Sequence, residues 1–180
     1  SAFVGVGGAW SAGTSAYTGT GLTLSGLKLG LAILKETGGS ARQWTGAKAS
    51  ATSASFIGVS GLTVVASDVS VAINRVASDN SVVDFGAQNL TVQTGTAGAP
   101  STMVLDMAGS LGALTQVSAA VEIDAFGLLM ARGTVTLQKS SGTVTVAGAS
   151  KAVDELLIGA NNLSAFVGVG GAWSAGTSAY

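Results

Sequence analysis

Apolar and polar positions alternate one by one along most of this chain. In Gly21–Glu36 (GLTLSGLKLGLAILKE), Leu22 and Leu24 stand two apart, the pattern slips by one residue at Ser25-Gly26, and it resumes at Leu27, Leu29, Leu31 and Ile33. A period of two belongs to a strand with one buried face, and the glycines disfavour a helix interior. A one-residue slip with a glycine inside it predicts a β-bulge. Thr37–Arg42 reads as a turn, and Gln43–Val59 as a long returning strand of small residues with Trp44, Phe56 and Ile57 near its ends. Gly61–Arg75 (GLTVVASDVSVAINR) repeats the design of the first long strand, Ala77–Asn80 turns the chain, and Val82–Thr94 is predicted to return.

The second half reads less regularly. Met103–Met107 and Val117–Ala131 are predicted strands joined by a Gly/Ser kink over Gly109–Gly112. Gly133–Leu137 and Gly142–Val146 read as a hairpin around Lys139-Ser140-Ser141. In Ser150–Ile158 the side chains of Val153, Leu156 and Leu157 would share a helical face, which predicts one short helical turn. Together these elements predict an all-β fold, a long-stranded antiparallel sheet in a flattened sandwich continued along a fibre axis. A β-solenoid is the alternative, disfavoured because the internal sub-repeats are unequal. Strands of about 16 residues would run about 53 Å, longer than is usual.

A second regularity lies above the alternation. Ser1–Tyr17 (SAFVGVGGAWSAGTSAY) recurs letter for letter at Ser164–Tyr180, an offset of 163 residues. The expected organisation is one complete tandem repeat over 1–163 followed by the start of the next over 164–180. Absence of an initiating Met at Ser1 fits a fragment or a processed product. Within the unit, Phe3, Phe56 and Phe126 stand in similar short phrases, which predicts phenylalanine anchors at one level of a meander. Lys35, Glu36, Arg42, Arg75, Asp79 and Lys139 fall at predicted turns, so the ions are expected at the strand ends.

Composition narrows the chemistry. Charged residues make up 9 %, against about a quarter in typical domains, and the net charge is −1. Eight scattered Lys and Arg make no basic stripe, which argues against nucleic acid. The apolar fraction is high, yet the richest window, Gly112–Ala131, contains Glu122 and Asp124, so no transmembrane helix is expected. With neither Cys nor His, the chain lacks disulfides, thiolate chemistry, and the commonest general base and metal ligand. No enzymatic role is expected. Gly5-Val6-Gly7-Gly8 continues into Trp10 where a dinucleotide fingerprint needs glycine, and Gly46-Ala47-Lys48 is not a P-loop.

Three candidate features survive. Phe3, Trp10, Phe166 and Trp173 occupy equivalent places in the two copies and are candidates for a repeat-to-repeat interface, with a ligand platform as the competing use of the tryptophans. Glu122 and Asp124 would project from one strand face as a weak Ca²⁺ site, although a solvated strand edge is the favoured reading and no dense calcium-loop spacing is present. Otherwise no cofactor is expected. Lys28 or Lys48 with Asn74 or Asn89 is conceivable as an isopeptide staple.

The runs GLTLSGLKLGLAIL, SASFIGVSGLTVVASDVSVAINR, VVDFGAQNLTVQTG and SGTVTVAG resemble the tandem Ser/Thr/Gly-rich β repeats of very large bacterial surface and secreted proteins, which are adhesin-like or matrix- and filament-forming. The resemblance implies an exported, structural role at the cell surface or outside the cell, with neighbouring repeats of the same protein as partners. An adhesin domain binding a glycan or surface through the loops Ser11–Thr20 and Thr94–Pro100 is the alternative.

Overall fold

A computed structural model describes residues 1–39, 41–174 and 176–177. Ser40 of the first turn, and Ala175 and Ser178–Tyr180 of the second copy, lie outside the described residues. Among the described residues, twelve strands run in chain order: β1 (Ala2–Val6), β2 (Trp10–Ser11), β3 (Ala16–Tyr17), β4 (Thr20–Ser25), β5 (Lys28–Lys35) and β6 (Gln43–Ile57). They continue with β7 (Leu62–Arg75), β8 (Leu90–Gln93), β9 (Thr102–Leu105), β10 (Leu114–Ala125), β11 (Leu129–Val146) and β12 (Ala149–Val167). One large antiparallel sheet takes the order β1-β4-β6-β7-β10-β11-β12, with β5 beside β6 below β4. The sheet is open: β1 and, beyond β4, β5 form one edge, and the 19-residue β12 forms the other. Every pairing is antiparallel, as the alternation of long strands and tight turns predicts.

The predicted slip at Ser25-Gly26 is part of a larger irregularity. Gly26, with φ 59°, stands opposite Thr52 of β6, and Thr52 stands opposite Asp68 of β7, with φ 52°. Across β4/β5, β6 and β7 the register is unbroken, whereas between β7 and β10 it shifts by one at Ser118/Ala120. The extra residue therefore crosses three strands in line, and the alternation of all three flips together. Leu22 and Leu24 consequently share a face with Leu27, Leu29, Leu31 and Ile33. A second bulge lies between β11 and β12, where Asn162 takes φ 51°. Asp and Asn are the side chains that best tolerate this left-handed conformation.

The register sorts residues into two unlike faces. One face bears rows such as Ser25–Ser53–Ser67 and Lys28–Ser50–Ser70–Ser118–Thr136. The other bears Val4–Leu22–Phe56–Val64–Ile123–Ala131–Ala165 and Leu29–Ala49–Val71–Val117–Leu137–Ile158. On the polar face, the β8–β9 hairpin and the segment 82–89 cover one corner of the sheet. Phe85, Leu105 and Met107 are buried there against Ala32, Ala72 and Leu114, with Leu34, Val83 and Val92 around them. Gly46 admits the ring of Phe85: a Cβ at Gly46 would lie 2.5 Å from Cε2 of Phe85. The second layer is thus a two-stranded flap over part of the sheet.

Four local expectations are corrected. Val82–Thr94 is strand only at Leu90–Gln93; before that, Asp84 Oδ1 accepts the N–H groups of Gly109 (2.9 Å), Gly86 (3.1 Å) and Ala87 (3.2 Å). That carboxylate supplies the partners a ladder would have supplied, and Phe85 turns inward. Val117–Ala131 is not one strand. The chain reverses at Phe126-Gly127, where Phe126 has φ 57° and Asp124 Oδ1 accepts the Gly127 N–H at 2.9 Å. The hairpin around Lys139-Ser140-Ser141 is instead the middle of β11, which runs unbroken for 18 residues, so Lys139 sits opposite Thr115 and not at a turn. Ser150–Ile158 belongs to β12, because seventeen cross-strand pairs with β11 outweigh a single unsupported helical turn.

The three phenylalanines also differ in role. Phe3 stacks on Tyr17, Phe56 stands in an apolar row, and Phe126 is exposed in a turn. The charges at the first two turns do converge. Arg42 holds Glu36 through Nε (3.0 Å) and Nη2 (2.6 Å), and reaches Asp79 through Nη1 at 2.7 Å. Among the described residues, no helix is long and apolar enough to cross a membrane.

Candidate functional site

The two copies of the opening segment occupy opposite edges of the sheet. In the first copy, β1 pairs with β4 from Ala2↔Leu24 to Val6↔Thr20. In the second, the equivalent residues end β12 and pair with β11: Ala165↔Ala131, Phe166↔Met130 and Val167↔Leu129. One sequence therefore makes two different ladders, each with one neighbour.

The backbone shows that the two ladders use opposite sides of the strand. Gly5 faces Gly21 so closely that a Cβ on Gly5 would meet the Gly21 Cα at 2.7 Å and strike the Thr20 carbonyl oxygen. A Cβ on Gly21 would strike the Val4 carbonyl oxygen. Such proximity marks Gly5↔Gly21 as a narrow, non-hydrogen-bonded pair, in which N–H and C=O of both residues point away from the partner. The N–H of Gly5 thus points out of the sheet at the free edge. Its counterpart Gly168 donates to the Leu128 carbonyl at 2.9 Å, across to the β10–β11 turn. The direction left free in the first copy is the direction used in the second.

Side chains differ between the copies in the same sense. Around β1, Phe3 stacks on Tyr17 with centroids 5.5 Å apart, and Trp10 meets Tyr17 edge-on at 4.9 Å. The β2–β3 hairpin folds this trio together, and Tyr17 Oη donates to the Ser1 carbonyl at 3.4 Å. Trp173, the counterpart of Trp10, lies instead against residues of β10 and β11. Its ring is 4.1 Å from Cζ of Arg132, a guanidinium that also approaches Glu122 at 3.8 Å. Trp173, Arg132, Glu122, Val65, Ser67 and Ser164 line an open cavity of about 530 Å³ on the polar face.

Glu122 and Asp124 line a smaller recess beside Trp173, but each carboxylate has a partner within the fold: Arg132 for Glu122, the Gly127 N–H for Asp124. Among the described residues, no three acidic side chains gather as a cation site would need. Of the isopeptide candidates, Lys48 Nζ pairs with Asp106 at 2.8 Å, and Asn74 Nδ2 donates to the Val83 carbonyl at 2.8 Å. The loop Ser11–Thr20 contains the β2–β3 hairpin, whereas Thr94–Pro100 is the tip of the β8–β9 flap.

Arg132 and the Leu128 carbonyl escape sequence reasoning. A cation in a sparsely charged strand was the available signal for Arg132. The Leu128 carbonyl carried none, since its role follows from the turn at Phe126-Gly127. No family model, curated protein or solved structure matches the chain.

Proposed function

We propose that this chain is a structural unit of a tandem β array, in an extracellular or cell-surface fibre of bacterial type. The strand SAFVGV acts as the splice. It closes one unit by pairing with β11 and opens the next by pairing with β4, so successive units form one sheet. The observation that carries this reading is the opposite orientation of Gly5 and Gly168: one edge of the strand serves β4 and the other serves the β10–β11 side.

The two ladders also fit one axis. The apolar row that begins at Val4 ends at Ala165, and Ala165 is equivalent to Ala2 of the next unit. Each unit therefore shifts the register by two residues, about 7 Å along the strand. A constant, small shift lets the same pairing repeat from unit to unit, as a fibre requires. Continuous pairing removes the open edges that would otherwise recruit foreign strands. The role is mechanical, carried by backbone hydrogen bonds between neighbours, and needs no catalytic group.

Amide hydrogen exchange on one-unit and two-unit chains tests this. In the 180-residue chain, the N–H groups of Phe166 and Gly168 should be protected, and those of Phe3, Gly5, Ala165 and Val167 should exchange freely. Adding the next unit through its β4 should protect Ala165 and Val167. If they still exchange freely and negative-stain images show beads on a flexible string, sheet continuation is wrong. Compact monomeric units that bind a glycan array would favour the adhesin reading.

A further inference from the structure

Among the described residues, nothing covers one face of the sheet. The flap and segment 82–89 lie on the polar face, with Ala32, Leu34, Ala72 and Leu114 beneath them. On the opposite face, Leu29 and Ile33 are 57 % and 59 % exposed, and Ile158 at the far edge is 68 % exposed. The rows from Val4 to Ala165 and from Leu29 to Ile158 cross the sheet without a single polar side chain.

We infer that this apolar face stacks on the same face of a second copy, making a two-sheet sandwich whose buried layer lies between chains. Size supports it. Seven strands at about 4.8 Å spacing and about 12 residues at ~3.3 Å give roughly 1,300 Å² per face. A stable interface needs about 800 Å² per partner. Shape supports it as well. On this face β6 presents Ala47, Ala49 and Ala51 as a valley, between a ridge of Leu29, Leu31 and Ile33 on β5 and one of Val69, Val71 and Ile73 on β7. Two identical faces related by a twofold axis can seat each ridge in the other's valley.

Charge then sets the orientation. Lys35, Arg75 and Lys139 fall on this face toward the same strand ends, with Asp154 on the outermost strand. Opposed strand directions keep the three cations of the two copies apart. A lipid surface is the poorer occupant. Both β1 and β12 leave backbone groups unpaired at the rim, and hydrocarbon tolerates none of them.

Hydroxyl-radical footprinting of the 180-residue chain tests the stacking without a mutation. Between dilute and concentrated solution, oxidation of Leu29, Leu31 and Ile158 should fall severalfold, while Leu157 on the opposite face of β12 keeps its reactivity. Sedimentation equilibrium supplies the second measurement: Val71→Asp should weaken self-association by about tenfold or more. Ser70→Asp, on the polar face, should not. Unchanged reactivity of the three apolar residues at concentrations where the chain self-associates, or protection only with phosphatidylcholine vesicles, overturns the inference. Association through strand edges protects backbone N–H groups and not these side chains. Stacking and sheet continuation therefore fail independently.

Discussion

Phe85 fills the corner under the flap and is 1 % exposed, with its ring against Gly46. Phe85→Ala should cost about 3–5 kcal/mol, read as a lower urea midpoint at unchanged slope. Asp84, one residue earlier, holds three backbone N–H groups. Those bonds, led by the one from Gly109, keep its carboxyl below the usual carboxylate range. Asp79 is lowered too, first by the Ser81 hydroxyl and then by the Arg42 guanidinium. A depressed folded pKa means stabilisation that is complete above the unfolded value near ~4 and is lost as pH falls below it. Melting temperature should therefore be flat above pH 5 and drop below about pH 4, and Asp84→Asn with Asp79→Asn should flatten that drop. At the bulge, Asp68→Gly should be tolerated, whereas Asp68→Val should cost about 1–2 kcal/mol from a β-branched residue at positive φ.

At the scale of elements, each strand of the sheet has neighbours on both hydrogen-bonding sides except at the rims. Residues Ser164–Val167 cover Leu129–Arg132 of β11, and Trp173 lies over Arg132. Removing 164–180 should lower the melting temperature by several degrees and reduce solubility, since the freed end of β11 becomes an edge. Trp173→Ala isolates the cation–π share, about 0.5–2 kcal/mol. An unchanged melting temperature in the truncated chain would mean that the strand only borders β11 and does not support it. The long strands were legible because leucine and valine recur every second residue. The turn at Phe126-Gly127 was not, because alternation on both sides of it reads as one run, and the reversal depends on Asp124 capping Gly127.

Across the whole molecule, the hydrophobic layer is divided unequally. A small core sits under the flap, and a larger apolar face stands open. That division gives meaning to a composition with 9 % charged residues: a chain that buries much of its apolar surface against copies of itself gains little from charge repulsion. In arrays of increasing unit number, melting temperature should rise and then level off, because each added unit contributes one more splice between neighbours. Independent units would melt at one temperature whatever their number.

The sequence by itself determined the strand-rich class, the antiparallel sense, the 163-residue period and the placement of a bulge at Gly26. These follow from local spacing and from identity between copies, which need no knowledge of distant contacts. Tertiary structure decided what local spacing leaves open. Seventeen pairs with β11 turn Ser150–Ile158 into strand, and three N–H groups on Asp84 turn Val82–Asn89 into a loop. It also decided that one seventeen-residue segment lies at both edges of a sheet. A strand has two hydrogen-bonding sides, and which side each copy uses depends on partners 14–22 residues ahead of the first copy and 32–38 residues behind the second.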